Sequence, residues 1–344
     1  MDFLEGKKLL IFQIYKYMAN NQEQFKAFHD VINATSSRRK TLKRNRDILR
    51  DKIKKYFKDN HGDYIQPTFY WQGSYAMRTL LNPIKDENGL GAYDLDDGIY
   101  FESDDINKRK SIDWYHKEVY EAVKDHTDSG SEDINPCVRV KYADGHHIDL
   151  AIYFFLTTED KTMLAHRAEP WHESNPDEMI NWFSYECNTK TKLRELVRFM
   201  KAWCEYKNSE GSEMPSGCIM SMLTSKYYQW NDENRYDIAM RDILKNMYDD
   251  LSIEGHFHCF RPVAPYEDLF GNYTKERKDI FLKELKSFKE DAEKAIACKN
   301  QHDGCVRWQK HFGDRFSCST AKDVDEDASQ QKFSGTIKKN SQYA

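Results

Sequence analysis

Two segments near the amino terminus carry apolar residues at helical spacing. In the first, residues 8–34, Leu10, Ile14 and Met18 lie at positions i, i+4 and i+8, and Phe25 and Phe28 continue the pattern, which is that of one buried helix face. The second, residues 38–58, combines a narrow apolar stripe with 11 lysines and arginines and only two aspartates. It is predicted to be a long helix with one packed face. Its charges fit either a solvated helix back or a surface that attracts phosphate-rich ligands.

A set of β-forming runs follows the basic segment. Residues 64–71 are β-prone, and residues 93–101 alternate between apolar and polar positions. Two further runs, residues 137–142 and 146–155, flank an Asp-Gly pair, which is a strong hairpin signal. With a helical segment at residues 112–125, these runs predict a mixed sheet with helices in the first half of the chain.

The second half of the chain is helical in pattern from about Pro176 onward. Apolar residues recur at helical spacing in four segments: residues 191–206, 216–230, 235–250 and 273–298. Residues 319–344 are polar and charged with few large apolar side chains, so they are predicted to form a flexible tail. The two halves predict two lobes with a cleft between them, a common position for a ligand.

The composition narrows the class of protein. The net charge is −5, which argues against stable binding of duplex nucleic acid, because proteins that bind duplexes are usually basic. The longest clean apolar run, residues 150–156, is far too short to span a membrane. The eight cysteines include no CxxC pair and the amino terminus shows no secretory signal, so we expect reduced thiols and a cytoplasmic location.

Candidate chemistry begins with the segment YDLDDGIYF. Period-two alternation places Asp94 and Asp96 on one face of a strand, about 6.6 Å apart along it, and Asp97 on the other face, in a structural or supporting role. Two carboxylates on one face repel each other unless a cation lies between them, and such oxygen ligands suit Mg²⁺. A solvated acidic pair at a strand end is the alternative.

A third carboxylate, Asp149, lies in HHIDLAIYFF, a run otherwise suited to burial. A charge in such a run requires a partner or a metal ion. If its strand neighbours that of Asp94, three carboxylates converge and can hold two ions roughly 3.5–4 Å apart, the arrangement of in-line phosphoryl transfer.

Groups suited to phosphate lie before and after these strands. In WQGSYAMRT, Gly73 permits a tight bend and Ser74 offers a hydroxyl to a phosphate. Arg194, Arg198 and Lys201 lie at i, i+4 and i+7, so they share one helix face, where Lys201 could neutralise a triphosphate. The alternative is that these three charged residues lie on a solvent-exposed face of the helix. A Met-Pro-Ser-Gly turn at 214–217 then precedes the next helix.

Two groups of residues have types that bind zinc but fit no strong zinc spacing. We expect core or surface roles for all of them: His256, His258 and Cys259, and Cys298, His302 and Cys305.

Four motifs in this order resemble the cGAS/DncV-like nucleotidyltransferases, the CD-NTases of bacterial CBASS anti-phage systems. They are WQGSYAMRTLLNPI, YDLDDGIY, HIDLAIY, and KLRELVRFMKAW followed by PSG. The resemblance is closest to the DncV-type cyclic dinucleotide synthases and extends discontinuously over roughly residues 60 to 320. It implies an α+β fold: a polymerase-β-like nucleotidyltransferase core plus a helical C-terminal lobe, with the active site in the cleft.

The resemblance also implies boundaries and a reaction. We expect amino-terminal helices that pack on the core, a catalytic core, a helical lobe and a tail, at residues 1–60, 61–175, 176–318 and 319–344. The implied reaction joins nucleoside triphosphates, ATP and GTP among them, into a cyclic oligonucleotide of cGAMP type and releases pyrophosphate. The same core could instead serve a linear oligonucleotide synthase, a protein or tRNA nucleotidyltransferase, or a degenerate nucleotide sensor.

The resemblance assigns roles to individual residues. The site is expected to hold two Mg²⁺ ions, with Mn²⁺ as an alternative metal. Asp94 and Asp96 are expected to bind both ions, and Asp149 is expected to bind the ion that activates the acceptor hydroxyl. Five residues are expected to bind nucleotide. Gln72, Gly73 and Ser74 are expected at the donor nucleotide, Lys201 at its triphosphate, and Ser216 at a further phosphate.

The sequence departs from the family pattern at one interval. The interval between Ser74 and Asp94 carries an insertion, residues 86–91, which leaves the base preference open.

Relatives encoded beside ubiquitin-like ligation enzymes are joined to a target through a flexible carboxyl terminus. Conjugation at Ala344 by such an ancillary enzyme is therefore a hypothesis.

Overall fold

The computed structural model describes residues 19–324. Residues 8–18 of the first predicted helical segment, residues 325–344 of the predicted tail and the hypothesis on Ala344 lie outside the described residues. The first described helices are α1 (Gln22–Ile32) and α2 (Ser36–His61). Helix α2 is the predicted basic helix and buries Leu42, Leu49, Ile53 and Phe57 along its apolar stripe.

The predicted mixed sheet is present and has seven strands. They are β1 (Pro67–Trp71), β2 (Tyr93–Ser103), β3 (Ser131–Ile134), β4 (Cys137–Lys141), β5 (His146–Leu156), β6 (Lys161–Leu164) and β7 (His172–Glu173). The order is β1-β2-β5-β4-β3, with β6 on β5 and β7 on β6. Only β2 and β5 pair in parallel among these strands, so the acidic segments of the two strands run side by side in the same direction.

Eight further helices complete the described chain. They are α3 (Gly73–Ala76), α4 (Ile112–Val123), α5 (Pro176–Thr189), α6 (Leu193–Ser209), α7 (Gly217–Lys226), α8 (Tyr236–Leu251), α9 (Lys275–Ala297) and α10 (Gln301–Phe312). The helices predicted after Pro176 are therefore present. Within residues 19–324, none has the length and apolar content that crossing a bilayer requires.

Two large hydrophobic clusters form the interior. One joins the sheet to α2 and α4, and the other is built from α1 and the helices after β7. The two amino-terminal helices therefore pack in different clusters, whereas the sequence predicted that both pack on the core. In α1, Phe25 and Phe28 contact the rings of Phe199 and Phe312, so α1 completes an aromatic cluster in the helical half.

The cysteines differ from expectation at one pair. Cys305 and Cys318 form a disulfide, which corrects the prediction of reduced thiols throughout. Cys305 is thereby removed from the candidate zinc set. In the other set, His256 Nδ1 lies 2.8 Å from an Asp250 oxygen and His258 Nδ1 lies 2.7 Å from an Asp268 oxygen. The two histidines therefore bind different carboxylates and do not converge on an ion.

Candidate active site

The register of β2 and β5 places the acidic residues on one face of the sheet. Asp96 lies opposite Asp149, and Asp94 lies opposite His147. Because side chains alternate between faces with a period of two, all four residues project from the same face. The condition for a three-carboxylate site, that the strand of Asp149 neighbours that of Asp94, is met.

The other face of β2 carries the remaining aspartate of the motif. The fully buried Asp97 accepts a hydrogen bond of 2.8 Å from Arg50 Nε on α2, and a second bond comes from the same guanidinium. Burial raises the pKa of Asp97, and Arg50 opposes that rise. Asp97 therefore has the structural role that strand alternation predicted, since it fastens the basic helix to the sheet.

The turn after β1 approaches the carboxylate of Asp96. Gly73 has φ +58°, and a Cβ at this position would lie 1.7 Å from Asp96 Oδ2. Gln72, the residue before Gly73, donates its backbone N–H to the carbonyl of Asp96 over 3.3 Å. Only glycine satisfies both the left-handed backbone and the close contact, so Gly73 brings the segment of Ser74 next to the carboxylates.

The surroundings of Asp96 disfavour its charged form. Burial raises the pKa of Asp96 to about 7, and the neighbouring carboxylates of Asp94 and Asp149 add to the rise. Lys201 and Arg139 oppose it only in part. A group of carboxylates in this state fits a divalent cation, which would remove the repulsion.

Asp149 has a partner that the sequence analysis missed. Arg139 on β4 lies opposite Asp149 in the antiparallel register, and its Nε and Nη2 donate hydrogen bonds of 2.8 and 2.7 Å to the two carboxylate oxygens. The hairpin signal at the Asp-Gly turn could have found this pair, because the turn sets which residues of β4 and β5 face each other.

The basic face of α6 is not the exposed helix back that was the alternative. Arg194 Nε donates to the carbonyl of Met77 (3.1 Å), Arg198 to that of Arg78, and Lys201 Nζ to that of Thr79 (3.1 Å). Three cations along one helix therefore bind three successive carbonyls that follow α3. This contact holds α6 against the segment that carries Ser74.

Lys201 lies at the inner end of this face. Burial lowers the pKa of Lys201, and the carboxylates of Asp94 and Asp96 oppose that decrease. Gly217, at the start of α7, makes room for the lysine, because a Cβ there would lie 2.7 Å from Lys201 Cε. The side chain is thus directed past α7 towards the carboxylates.

A cavity of about 610 Å³ connects these groups. Its lining includes Asp94, Asp96, Ser74, Lys201 and Ser216. The Ser74 hydroxyl is buried with no hydrogen-bond partner among the described residues, and Ser216 is exposed and caps α7 by accepting from the N–H of Ile219. An unpaired buried hydroxyl beside carboxylates and a lysine fits a bound metal–triphosphate group.

Two residues change the predicted picture of the cavity. Gln72 does not line it: its buried amide donates to the hydroxyl of Tyr100 (3.0 Å) and accepts from that of Tyr153 (3.2 Å). The direct nucleotide contact expected for Gln72 therefore does not fit, because both ends of the amide are engaged. Conversely, Arg277 lines the cavity and stacks over Tyr273 at 3.8 Å from the ring centroid, and no sequence motif pointed to it.

The strands that carry this site match a known family. Residues 67–153 match the family described as "Cyclic GMP-AMP synthase DncV-like, nucleotidyltransferase domain". The range extends from β1 to the middle of β5 and includes all three aspartates of the site. Over these residues, the chain is similar to the nucleotidyltransferase domain of the DncV-like family. The resemblance predicted from the sequence motifs is confirmed for this stretch of the chain.

The fold of the described chain is similar to solved structures. The crystal structure of Vibrio cholerae DncV cyclic AMP-GMP synthase, described as a prokaryotic cGAS homolog, is 18% identical and has a TM-score of 0.74, covering 87% of this chain and 97% of that chain. Its complexes with the linear intermediate 5' pppA(3',5')pG and with nonhydrolyzable GTP are 19% identical, with the same TM-score of 0.74 and the same coverage. The predicted α+β nucleotidyltransferase fold with a helical C-terminal region is confirmed.

The predicted site residues come from two parts of the chain. The DncV-like domain supplies the aspartates with Gly73 and Ser74, and the helical part supplies Lys201 and Ser216. The two parts meet at the cavity, so a triphosphate bound there would contact both.

Proposed function

We propose that this nucleotidyltransferase joins nucleoside triphosphates into a cyclic oligonucleotide, with two divalent cations, Mg²⁺ or Mn²⁺, and release of pyrophosphate. The observation that carries the proposal is the placement of Asp94, Asp96 and Asp149 on one face of the sheet, with Asp94 and Asp96 lining a cavity together with Lys201. Acidic groups alone repel a triphosphate, so this pairing of carboxylates with a partly buried lysine suits a metal–nucleotide complex.

The residues have distinct roles in this proposal. Bound divalent cations would supply Lewis acidity to the reacting phosphate and acidify the acceptor hydroxyl. Asp94 and Asp96 would hold both ions, and Asp149 would hold the ion on the acceptor side. Arg139 would fix the Asp149 carboxylate in one orientation, since its fork engages both oxygens.

The triphosphate would lie across the cavity. Lys201 would bind it as a point charge, and the unpaired Ser74 hydroxyl would donate to a phosphate oxygen. The N-terminus of α7 at Ser216 adds oriented N–H groups at the same cavity. Together these groups would hold the α-phosphate in line with the acceptor hydroxyl.

We propose ATP and GTP as substrates and a cyclic dinucleotide of cGAMP type as product. Support comes from the similarity to an enzyme named a cyclic AMP-GMP synthase and solved with a pppApG intermediate. Extending the CBASS resemblance, we propose that the product is a second messenger in anti-phage defence and that an ancillary ubiquitin-like ligation enzyme acts on the tail.

The test is product formation by the purified full chain. With Mg²⁺ and all four NTPs, we expect a phosphatase-resistant product whose mass shows a ring and its bases. A phosphatase-sensitive product would instead indicate a linear oligonucleotide synthase, and label retained on protein or tRNA would indicate the macromolecular transferase. Asp94→Asn should abolish turnover, and undiminished turnover in that variant would overturn the proposed site.

A further inference from the structure

A histidine projects from the same face of the sheet as the three aspartates. His147 on β5 lies two residues before Asp149 and directly opposite Asp94 on β2. Ligand atoms of Asp94, His147 and Asp149 lie within 4.8 Å of one another. Of the residues that the structure describes, these form the one group of three or more His, Cys, Asp or Glu side chains placed to hold a metal ion.

The distances suit a shared ion. Two ligand atoms that each lie about 2.0–2.2 Å from one ion are separated by roughly 2.8–4.4 Å, depending on whether they are adjacent or opposite. His147 Nε2 lies 3.8 Å from Asp149 Oδ2, inside that interval. The distance is too long for a hydrogen bond, so the two groups face each other without being bonded.

The neighbouring histidine shows what a structural histidine looks like at this position. His146, on the opposite face of β5, is bonded through its ring to Asn45 (3.1 Å) and to Asp144, and it stacks on Tyr142. The ring of His147 has no hydrogen-bond partner within residues 19–324, and its side chain keeps 19% of its surface exposed. His147 is therefore free to bind a ligand where His146 is not.

The guanidinium of Arg139 does not close the site. A carboxylate has about four lone-pair positions, and the two hydrogen bonds from Arg139 use one on each oxygen of Asp149. One lone pair on each oxygen remains for a cation. Asp94 approaches this carboxylate from β2, and His147 approaches it from two residues earlier on β5.

We propose that His147 supplies an imidazole nitrogen to the ion held by Asp94 and Asp149, and that this nitrogen makes the site prefer Mn²⁺ to Mg²⁺. Mg²⁺ takes oxygen ligands almost exclusively, whereas first-row transition ions accept imidazole. The inference rests on the proposed metal-dependent function, but metal binding can be measured without nucleotide and without turnover.

The experiment is pulsed EPR on Mn²⁺ bound to the full-length protein without nucleotide. We expect hyperfine coupling to ¹⁴N in the wild type and in His172→Gln, a matched control at a histidine on β7. In His147→Gln the coupling should be absent. The preference for Mn²⁺ over Mg²⁺, measured by competition titration, should fall about tenfold in that variant, the change expected for a lost nitrogen ligand.

Each outcome separates the two proposals. Bound Mn²⁺ without ¹⁴N coupling in the wild type would overturn the role of His147 and leave the carboxylate site intact. If His147→Gln retains the coupling, another histidine is the ligand and the inference is wrong. If neither the wild type nor Asp94→Asn binds Mn²⁺, the result counts against the metal-dependent function itself. The wild-type spectrum decides the first point even if a variant does not fold.

Discussion

At the scale of single residues, Asp96 couples the chemistry of the site to the stability of the fold. Burial and two neighbouring carboxylates raise its pKa from 3.8 to about 7. A carboxyl whose pKa is raised on folding binds more protons in the folded than in the unfolded chain between those values. Without metal, its contribution to the free energy of unfolding therefore falls as pH rises from about 4 to about 7.

Replacing Asp96 by Asn should remove this penalty. In EDTA, the melting temperature of Asp96→Asn relative to wild type should be higher at pH 7.5 than at pH 5, because only the wild type has a charge to bury at the higher pH. Thermal unfolding at both pH values measures the difference. Saturating Mn²⁺ should narrow it at pH 7.5, since the ion binds the folded wild type. If the difference in melting temperature between the variant and the wild type does not depend on pH, the charge of Asp96 does not destabilise the folded protein.

A methyl group at Gly73 should displace the Asp96 carboxylate. Gly73→Ala combines a strained backbone, at φ +58°, with a contact of 1.7 Å to Asp96 Oδ2. Gly89→Ala is the matched control, because Gly89 has φ +76° and open space around its Cβ position. Both variants should lose about 1–2 kcal/mol of stability from backbone strain, measured by denaturant unfolding. Only Gly73→Ala should also lose turnover and Mn²⁺ binding, and equal activity of the two variants would contradict the predicted contact.

At the scale of elements, helix α6 performs two tasks with one row of cations. Arg194 and Arg198 bind backbone carbonyls after α3, and Lys201 does so while also lining the cavity. The outer two should therefore matter for packing, and the inner one for the ligand.

The variants Lys201→Met and Arg194→Met test this division. Lys201→Met should weaken binding of a nonhydrolysable NTP with Mn²⁺ and lower kcat/KM at least about 100-fold, the usual effect of losing a charge aimed at the reacting group. Its stability should change about as much as that of Arg194→Met, because each variant loses one hydrogen bond to a backbone carbonyl. Arg194→Met, which loses the same type of carbonyl contact away from the cavity, should keep nucleotide affinity within about twofold. Equal losses of affinity would show that the row acts only in packing.

The elements also show what the sequence could and could not predict. Period-two alternation separated Asp94 and Asp96 from Asp97, and the Asp-Gly signal identified the β4–β5 hairpin, because both rules act over a few residues. The pairing of Asp149 with Arg139 was missed, although the same hairpin signal sets which residues of the two strands face each other. The contacts of Arg198 depend on where a helix packs, which no local pattern specifies.

At the scale of the whole molecule, the amino-terminal helices tie the two hydrophobic clusters together. Helix α1 packs among the late helices and α2 on the sheet, and only residues 33–35 separate them. Asn21 donates its N–H to the buried Asp237 over 2.8 Å, and Arg235 binds both Asp237 and the carbonyl of Ala19. The start of the described chain is thus an interior part of the helical half. The sequence placed it on the core because periodicity reveals a buried face but not its partner.

The substitution Phe25→Ala should therefore destabilise a cluster formed by residues far along the chain. The Phe25 ring is fully buried and lies about 5 Å from the rings of Phe199, Trp308 and Phe316, so its removal leaves a cavity that costs about 3–5 kcal/mol. Val31→Ala, on the same helix but 49% exposed, should cost less than about 0.5 kcal/mol. Denaturant unfolding gives both values, and hydrogen exchange should show the loss of protection in α10 as well as in α1. Loss confined to α1 would mean that the helix is an independent appendage rather than a member of the helical cluster.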